Sequence, residues 1–408
     1  MNKLKKAMFL TSNLKMWLGI IVFGLIMFAF AFFIGFLPYF ERVTNFLLKK
    51  LFVLASFNTS LRAIIASVLF LVALLGIIYS LYKIYKFFSG YNNGLFENTY
   101  RESKLSKGKK IVTIGGGTGS YTLLNGLKEL TSNITAVVTT MDSGGSSQLL
   151  KTEFGVLPPG DIRNCVIALS SLPDKLRNVF NKRFKKTSSL VGHPLGNLFL
   201  TRLAQDEGFE VALEQMEELL QCRGKVLPVT NDKVELIAIN EKDEKFYGES
   251  EIDKKALNIK EIFLNQKANA NSKVIDAIKD ADTIVLGPGS LFSSIIPNLL
   301  VNDICDAINN SKAKKVFVMP VMSQYPETHG FKAEHYMNWI ERYVNIDYFL
   351  INNKKPSDEI LNKYLPEKKF YIDPITGEKD RYIKADLINE KTVVRHDSEK
   401  LAKLIIKI

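Results

Sequence analysis

Two glycine-rich turns in the sequence have the composition of phosphate-binding loops. The first, "GGGTG" at residues 115–119, follows an apolar segment typical of a buried strand and precedes a segment with helical spacing. Glycines there let the backbone approach a phosphate, and the N–H groups that begin a helix attract anions. The second turn, "GPGS" at residues 287–290, also lies between a strand and a helix. Ligands of open α/β sheets bind at such strand ends, so we expect the turns to share one cleft.

The first turn matches the dinucleotide fingerprint G-x-G-x-x-G imperfectly, because Ser120 stands where the third glycine is expected. No Walker A lysine follows the glycines. A tight strand-to-helix turn without a ligand is the alternative interpretation. Four glycines in five residues favour a ligand, since glycine costs conformational entropy wherever its geometry is not required.

Polar residues after other predicted elements are further candidates. Asp142 follows the second strand, where an acid bonds a ribose hydroxyl, although it is equally suited to cap the next turn. "SGGSS" at residues 143–147 can form an anion nest. In "PPGDIRN", Asp161 is expected to cap a helix, and Arg163 in its first turn either serves an anion or is solvated. The candidate nucleotide-binding residues are Gly115, Gly116, Gly117, Thr118, Gly119, Asp142, Gly144, Gly145, Ser146, Asp161, Arg163, Asn164, Gly196, Asn197, Gly287, Gly289 and Ser290.

The sequence provides no pattern for catalytic or metal-binding residues. The four histidines, His193, His329, His335 and His396, lack the spacing of metal ligands. The cysteines Cys165, Cys222 and Cys305 form no CxxC pair, which suits a reducing compartment rather than a disulfide framework.

The elements that carry these turns alternate along the chain. Residues 109–142 predict a strand, a helix and a second strand, which is a βαβ unit and implies a parallel sheet. Helices follow at 161–172, 197–208 and 210–222, and residues 226–252 predict an antiparallel excursion. Further strands are predicted near residues 283–286, 315–320, 346–353 and 382–388, before a short final helix. The pattern predicts an α/β, Rossmann-like fold with a mostly parallel sheet.

Two long apolar segments precede this domain. Residues 17–37 and 63–82 contain no charged residue, and each is long enough to span a bilayer as a helix. The first is too long for the apolar region of a signal peptide and has no small-x-small cleavage site after it. We therefore predict a membrane hairpin over residues 1–90 with two transmembrane helices, a linker over 91–108 and a Rossmann-like domain over 109–408.

The net charge of +12 is confined to the N-terminal part of the chain. Residues 1–110 contain 15 Lys and Arg but only 3 Glu, whereas the other residues contain 39 positive and 39 negative side chains. The domain thus has no electrostatic signature for nucleic acid. The basic residues before the first span and after the second outnumber those of the connecting loop, which places both termini in the cytoplasm.

Several motifs, in this order, resemble the YvcK/CofD-like family, in particular its branch called gluconeogenesis factor. They are "GGGTGSYTLLNGLKELT", "DSGGSS", "GVLPPGDIRNC", "HPLGNLFL", "GPGSLFSSIIPNLL" and "SQYPETHGF". The resemblance extends from Lys109 to about the C-terminus and implies a CofD-like Rossmann fold. The membrane hairpin is an addition to the usual form of the family.

The resemblance implies one of two functional classes. CofD enzymes transfer a phospholactate group from a guanosine diphosphate adduct to a deazaflavin with Mg²⁺, whereas YvcK-like proteins bind UDP-sugars and support envelope growth without known catalysis. Many members have "ADDGGSSGRL" and "TQPGETDG" where this chain has "MDSGGSSQLL" and "SQYPETHG". Ser143, Leu149 and His329 thus replace two acids and an arginine, while Asp142, Glu327 and Thr328 remain. Since metal-assisted transfer needs carboxylates, these replacements count against catalysis.

We therefore expect a membrane-anchored, cytosol-facing protein that binds a UDP-sugar and regulates cell-envelope synthesis and cell shape. Its expected partners are the nucleotide sugar, the membrane and envelope-synthesis proteins, with a homo-oligomer and bound Mg²⁺ as further options. The first alternative is a CofD-type 2-phospho-L-lactate transferase using a guanosine nucleotide and Mg²⁺. The second is a dinucleotide-dependent oxidoreductase, which rests on the first glycine turn alone.

Overall fold

The computed structural model describes residues 101–185, 190–375, 377, 379–389 and 393–408. The predicted transmembrane spans lie outside the described residues. In the described part, no single helix is long and apolar enough to cross a bilayer, although the bent pair Leu291–Leu299 and Ile304–Asn310, at 78°, passes that test by length and composition. The domain forms one compact unit, Leu105–Ile408. Leu105 is buried in it, slightly before the boundary expected at residue 109.

A seven-stranded parallel sheet forms the centre of the domain. Its strands, in spatial order, are β10 (Tyr382–Ala385), β9 (Tyr348–Asn352), β8 (Lys314–Val318), β7 (Thr283–Leu286), β1 (Ile111–Gly115), β2 (Ile134–Val138) and β3 (Lys225–Pro228). Strands β1 and β7 are adjacent, with Ile111 opposite Thr283 and Ile114 opposite Leu286. The parallel α/β fold predicted from the sequence is therefore confirmed.

Helices cover both faces of the sheet, because alternate strand residues are apolar on each side. Ile111, Val138 and Val285 face one core, whereas Val112, Val137 and Leu286 face the other. The first core is covered mainly by α1 (Gly117–Leu127), α3 (Gly160–Leu169), α5 (Leu195–Glu207), α6 (Phe209–Leu219) and α13 (Ser398–Lys407). The second is covered mainly by α8 (Ser272–Lys279), α9 (Ile296–Leu299), α10 (Ile304–Asn310) and α11 (Ala333–Ile340).

Shorter elements complete the domain. They are the helices α2 (Gly145–Phe154), α4 (Asp174–Arg177), α7 (Glu249–Lys255) and α12 (Asp358–Asn362), the 3₁₀ turns Asn178–Asn181 and Leu365–Glu367, a π-helix at Leu291–Ile295, and the pair β11 (Ile388–Asn389) and β12 (Arg395–His396). The three cysteines are free thiols.

The antiparallel excursion predicted for residues 226–252 is wrong at both of its ends. Its first strand, β3, pairs in parallel with β2 and belongs to the main sheet. Its last residues form α7, which packs beside a small antiparallel sheet of β5 (Lys245–Tyr247), β4 (Leu236–Asn240) and β6 (Ile259–Leu264). Both β3 and β4 are short strands with alternating burial, so their sequence alone does not distinguish the sheet to which each belongs.

Candidate functional site

The candidate site lies where the order of the sheet reverses. Strands β2 and β3 extend the sheet on one side of β1, and β8 to β10 extend it on the other side of β7. The carboxyl ends of β1 and β7 are therefore the switch point of a doubly wound sheet, which is where ligands of such folds bind. Both strands end in the glycine turns that the sequence singles out.

The two turns touch each other. Gly287 N–H donates to the carbonyl oxygen of Ile114 at 2.9 Å. Gly119 packs so closely that a Cβ there would lie 2.1 Å from the carbonyl oxygen of Pro288. Gly117, the first residue of α1, has a φ of +63°, a left-handed conformation that favours glycine. The glycines at positions 117 and 119 are thus required by backbone geometry, with or without a ligand.

A cleft of about 530 Å³ opens beside these turns, which is the size range of small-molecule sites. The predicted residues that line it are Gly116, Gly117, Thr118, Gly119, Asp161, Gly289 and Ser290. Gly115 and Gly287 lie immediately behind this lining, as the last residue of β1 and the first of the second turn. The helix that begins at Gly117 directs its positive end into the cleft, where an anion is stabilised.

Asp161 lies against the first turn rather than capping a helix. Pro159 is the cap residue of α3, and no side chain bonds there, so the predicted capping role of Asp161 is wrong. Its carboxylate instead accepts a hydrogen bond from Gly117 N–H, and a Cβ on Gly116 would lie 2.4 Å from its Oδ2. Burial, reinforced by the charge of Asp142, raises the pKa of Asp161 to about 7.

Three further carboxyl groups form a chain beside the second turn. Glu249 is hydrogen-bonded to Asp253 on the same helix, and Asp253 to Glu327. Ser290 Oγ donates to Glu327 Oε1 at 2.6 Å. A contact between two carboxyl groups needs a shared proton, and burial in addition raises the pKa of both Glu249 and Glu327.

The carboxyl chain of Glu249, Asp253 and Glu327 is not arranged as a ready Mg²⁺ site. Among the described residues, no group of three or more His, Cys, Asp or Glu side chains is arranged to hold a metal ion. The carboxyl groups of α7 and Glu327 bind each other and serine hydroxyls instead. Asp253 Oδ1 and Glu327 Oε2 are buried and have no donor among the described residues unless the two carboxyl groups share a proton.

The remaining predicted side chains form a second polar group, which we call the Arg163 network. Arg163 is buried and donates to Asn197 Oδ1 at 2.9 Å and to Asn164 Oδ1 at 2.6 Å. Asn197 Nδ2 donates to Ser146 Oγ at 3.0 Å, and Ser146 Oγ lies 2.8 Å from Nδ1 of His193. The alternative of a solvated Arg163 is therefore wrong: helix α5 covers it, since a Cβ on Gly196 would lie 2.8 Å from its Cδ.

Asp142, Gly144 and Gly145 lie between the cleft and the Arg163 network. Asp142 Oδ1 accepts from Gly144 N–H at 2.8 Å, and its Oδ2 faces Gly160. The carboxylate thus orders the turn before α2 locally. The structure places this loop next to Glu249, with Ser143 Oγ accepting from Ser250 N–H at 2.9 Å.

Sequence reasoning missed two parts of the lining of the cleft. Glu249 and Asp253 come from α7, which begins in the segment interpreted as strands and extends past its end, and their i, i+4 spacing was the one available signal. The second missed part of the lining is formed by Tyr364, Lys369, Arg395 and His396. No local pattern marks these residues, because they reach the cleft from distant parts of the chain.

A doubly wound parallel sheet with a cleft beside two glycine turns at its switch point defines an α/β protein of the Rossmann-like class, in which clefts at this position commonly bind small ligands. The family model described as 2-phospho-L-lactate transferase CofD matches residues 111–405, and the chain belongs to this family.

Similar proteins and a solved structure support this family assignment. The chain is 41% identical over 311 residues to a putative gluconeogenesis factor of Thermotoga maritima, covering 73% of this chain and 99% of that protein. It is 39% identical over 309 residues to the gluconeogenesis factor of Bacillus subtilis, covering 73% and 98%. A crystal structure of a UPF0052 family protein from Bacillus halodurans superposes with a TM-score of 0.70 at 37% identity, covering 74% of this chain and 99% of that one.

Proposed function

We propose that the protein is a membrane-anchored, cytosol-facing regulator of cell-envelope synthesis and cell shape that binds a UDP-sugar in the cleft. The observation that carries this proposal is the contact between the two glycine turns at the switch point. A diphosphate seated there meets backbone N–H groups from both turns and the start of α1. The relatives named gluconeogenesis factor support the regulatory class.

The membrane part of the proposal rests on the two uncharged segments at residues 17–37 and 63–82 and on the basic residues that flank them. A tether of this kind holds the ligand site near enzymes that consume nucleotide-linked or lipid-linked sugars at the inner leaflet. Envelope-synthesis proteins are its proposed partners, and a homo-oligomer is a further proposal for the assembly.

Calorimetric titration of the purified full chain with UDP-N-acetylglucosamine tests the ligand. We expect binding in the micromolar range that a chelator does not change, because the carboxyl groups near the turns are paired with one another. Gly117→Asp places a carboxylate where the phosphates are expected and should abolish binding. Gly155→Asp is the matched control, since Gly155 has nearly the same φ, +66°, at the far end of α2. Equal binding by wild type and Gly117→Asp would contradict the proposal.

A transferase of the CofD type is the second candidate, and it is favoured by the carboxyl groups of Asp161, Glu249 and Asp253 in the cleft lining, provided that Mg²⁺ displaces the protons that pair them. Helix α7, which carries Glu249 and Asp253, contacts Ser143, the position at which many family members have a second acid. Titration with GDP in the presence and absence of Mg²⁺ separates the two candidates. A metal-dependent preference for GDP over the UDP-sugar would favour the transferase.

A further inference from the structure

His396 brings an imidazole to the cleft from the C-terminal segment. It is the second residue of β12, which pairs with β11 and packs beside α1. The hydroxyl of Tyr364 accepts from Val394 N–H at 2.8 Å, which fixes the segment that leads into this strand. His396 lines the cleft together with the residues of the first glycine turn, although only 8% of its surface is exposed.

One nitrogen of this ring is anchored and the other has no partner. The imidazole donates a hydrogen bond to the backbone carbonyl of Met319, just beyond the carboxyl end of β8. Nε2 is buried and makes no hydrogen bond to any described residue. The anchored nitrogen is therefore Nδ1, and its hydrogen is committed to Met319.

The free nitrogen is consequently a hydrogen-bond acceptor. Burial lowers the pKa of His396 to about 4, so the ring is neutral at physiological pH. A neutral imidazole carries one hydrogen, and Nδ1 holds it. Nε2 thus presents a lone pair, and a buried acceptor without a donor destabilises the protein until a partner arrives.

The surroundings restrict what that partner can be. The lining of the cleft also includes Lys369, Arg395, Tyr364, Ser323 and Gln324. This mixture of cationic and uncharged polar groups suits a hydroxylated molecule more than an apolar one. Phosphates carry few hydrogens to donate, so an acceptor such as Nε2 does not suit them, and the glycine turns of the same cleft are the place for them.

We propose that His396 Nε2 accepts a hydrogen bond from a hydroxyl of the sugar that the bound nucleotide carries beyond its diphosphate. The inference rests on the proposed function, because it assumes that a nucleotide sugar occupies the cleft. It assigns sugar recognition to the C-terminal segment, whereas phosphate recognition belongs to the glycine turns.

Titration of the full chain with UDP-glucose and with UDP tests this assignment. His396→Phe keeps a ring of similar size without an acceptor, and His396→Gln places an amide oxygen near the position of Nε2. We expect His396→Phe to weaken UDP-glucose binding about tenfold or more, the range of one lost hydrogen bond. UDP binding should be unchanged, and His396→Gln should retain most of the affinity for UDP-glucose.

The outcomes separate the two proposals. If wild type binds neither UDP nor UDP-glucose, the nucleotide-sugar function itself is overturned, together with this role of His396. Suppose that wild type binds both UDP and UDP-glucose. If His396→Phe then weakens the two ligands equally, or weakens neither of them, only the role of His396 is overturned. Nitrogen NMR of wild type covers the case of a variant that fails to fold: UDP-glucose, but not UDP, should move the Nε2 resonance, and an unchanged resonance would contradict the proposal.

Discussion

Ser290 Oγ donates a 2.6 Å hydrogen bond to Glu327 Oε1, which links the second glycine turn to a buried acid 37 residues away in the chain. The same hydroxyl accepts from Ser293 N–H at 3.1 Å and thereby caps the π-helix that follows the turn. One side chain therefore connects the lining of the cleft, the helix behind it and the segment around Glu327. The position of this turn therefore depends in part on Glu327, a buried acid outside the lining of the cleft.

Ser290→Ala should destabilise the domain. The substitution leaves Glu327 Oε1 without a donor in a buried position and removes a helix cap, so we expect a loss of about 1–3 kcal/mol in the free energy of unfolding. Urea denaturation measures it. Ser250→Ala, at a less buried serine of α7, is the control and should change that free energy by less than about 0.5 kcal/mol. If the free energy of unfolding decreased no more than in the control, the hydrogen bonds of Ser290 would not stabilise the domain.

Asp161 should make the stability of the domain depend on pH. Its pKa rises from 3.8 to about 7 on folding, so the folded state binds the proton more tightly. The stabilising contribution of Asp161 to the free energy of unfolding is fully present below pH 3.8 and is lost as the pH rises through 7. Asp161→Asn should therefore flatten the fall of the unfolding free energy between about pH 4 and 7, as measured by urea denaturation at several pH values. Asp206→Asn, at an exposed ion pair with Arg202, should leave the slope as in wild type.

Two close-packed glycines allow stability and binding to be separated. A Cβ at Gly119 would lie 2.1 Å from the carbonyl oxygen of Pro288, and a Cβ at Gly126 would lie 2.0 Å from that of Ser398. Each alanine should cost about 1–3 kcal/mol of stability by overpacking. Gly119→Ala should also weaken the binding of UDP-N-acetylglucosamine, as measured by calorimetry, because the added methyl group separates the two turns. The folded fraction of Gly126→Ala, at the contact of α1 with α13, should bind this ligand with the affinity of wild type. Equal weakening of binding by the Gly119 and Gly126 variants would refute a specific role of the turns.

Arg163→Lys should be poorly tolerated despite the conserved charge. The guanidinium donates one hydrogen bond to Asn197 and another to Asn164. A lysine ammonium cannot reproduce this planar arrangement of two donors. We expect a loss of about 2–3 kcal/mol in unfolding free energy, since a buried cation is left with fewer partners. Arg202→Lys, which keeps an exposed i, i+4 pair, should change it by less than about 0.5 kcal/mol. Thermal melting and urea denaturation of both variants provide the comparison.

The sequence predicts what is local in this domain. A glycine turn between an apolar strand and a helix is encoded within about 15 residues, so β1 with α1 and β7 with its turn could be located by pattern alone. The contact of these turns follows from one topological rule, that parallel strands end at the same edge. Family membership, inferred from six motifs, is confirmed by the family model and the relatives.

What could not be predicted depends on contacts between distant residues. The acidic chain of Glu249, Asp253 and Glu327 needs α7 and the segment after β8 to meet, and neither contains a signal for the other. The burial of Arg163 depends on α5 packing over it. His396 lies in a segment without a recognisable motif. Only the structure shows which groups surround its ring and that Nε2 has no hydrogen-bond donor among the described residues.

The lining of the cleft includes residues 116–119 and residues 393–396, and this arrangement has a consequence for biosynthesis. The ribosome releases the first of these segments early and the second only after the whole intervening domain has been made. The nascent chain therefore has no complete site, and its ligand cannot guide early folding. Once the finished chain closes the cleft, a bound molecule stabilises it by mass action, so the abundance of the ligand is expected to influence how long each released copy survives.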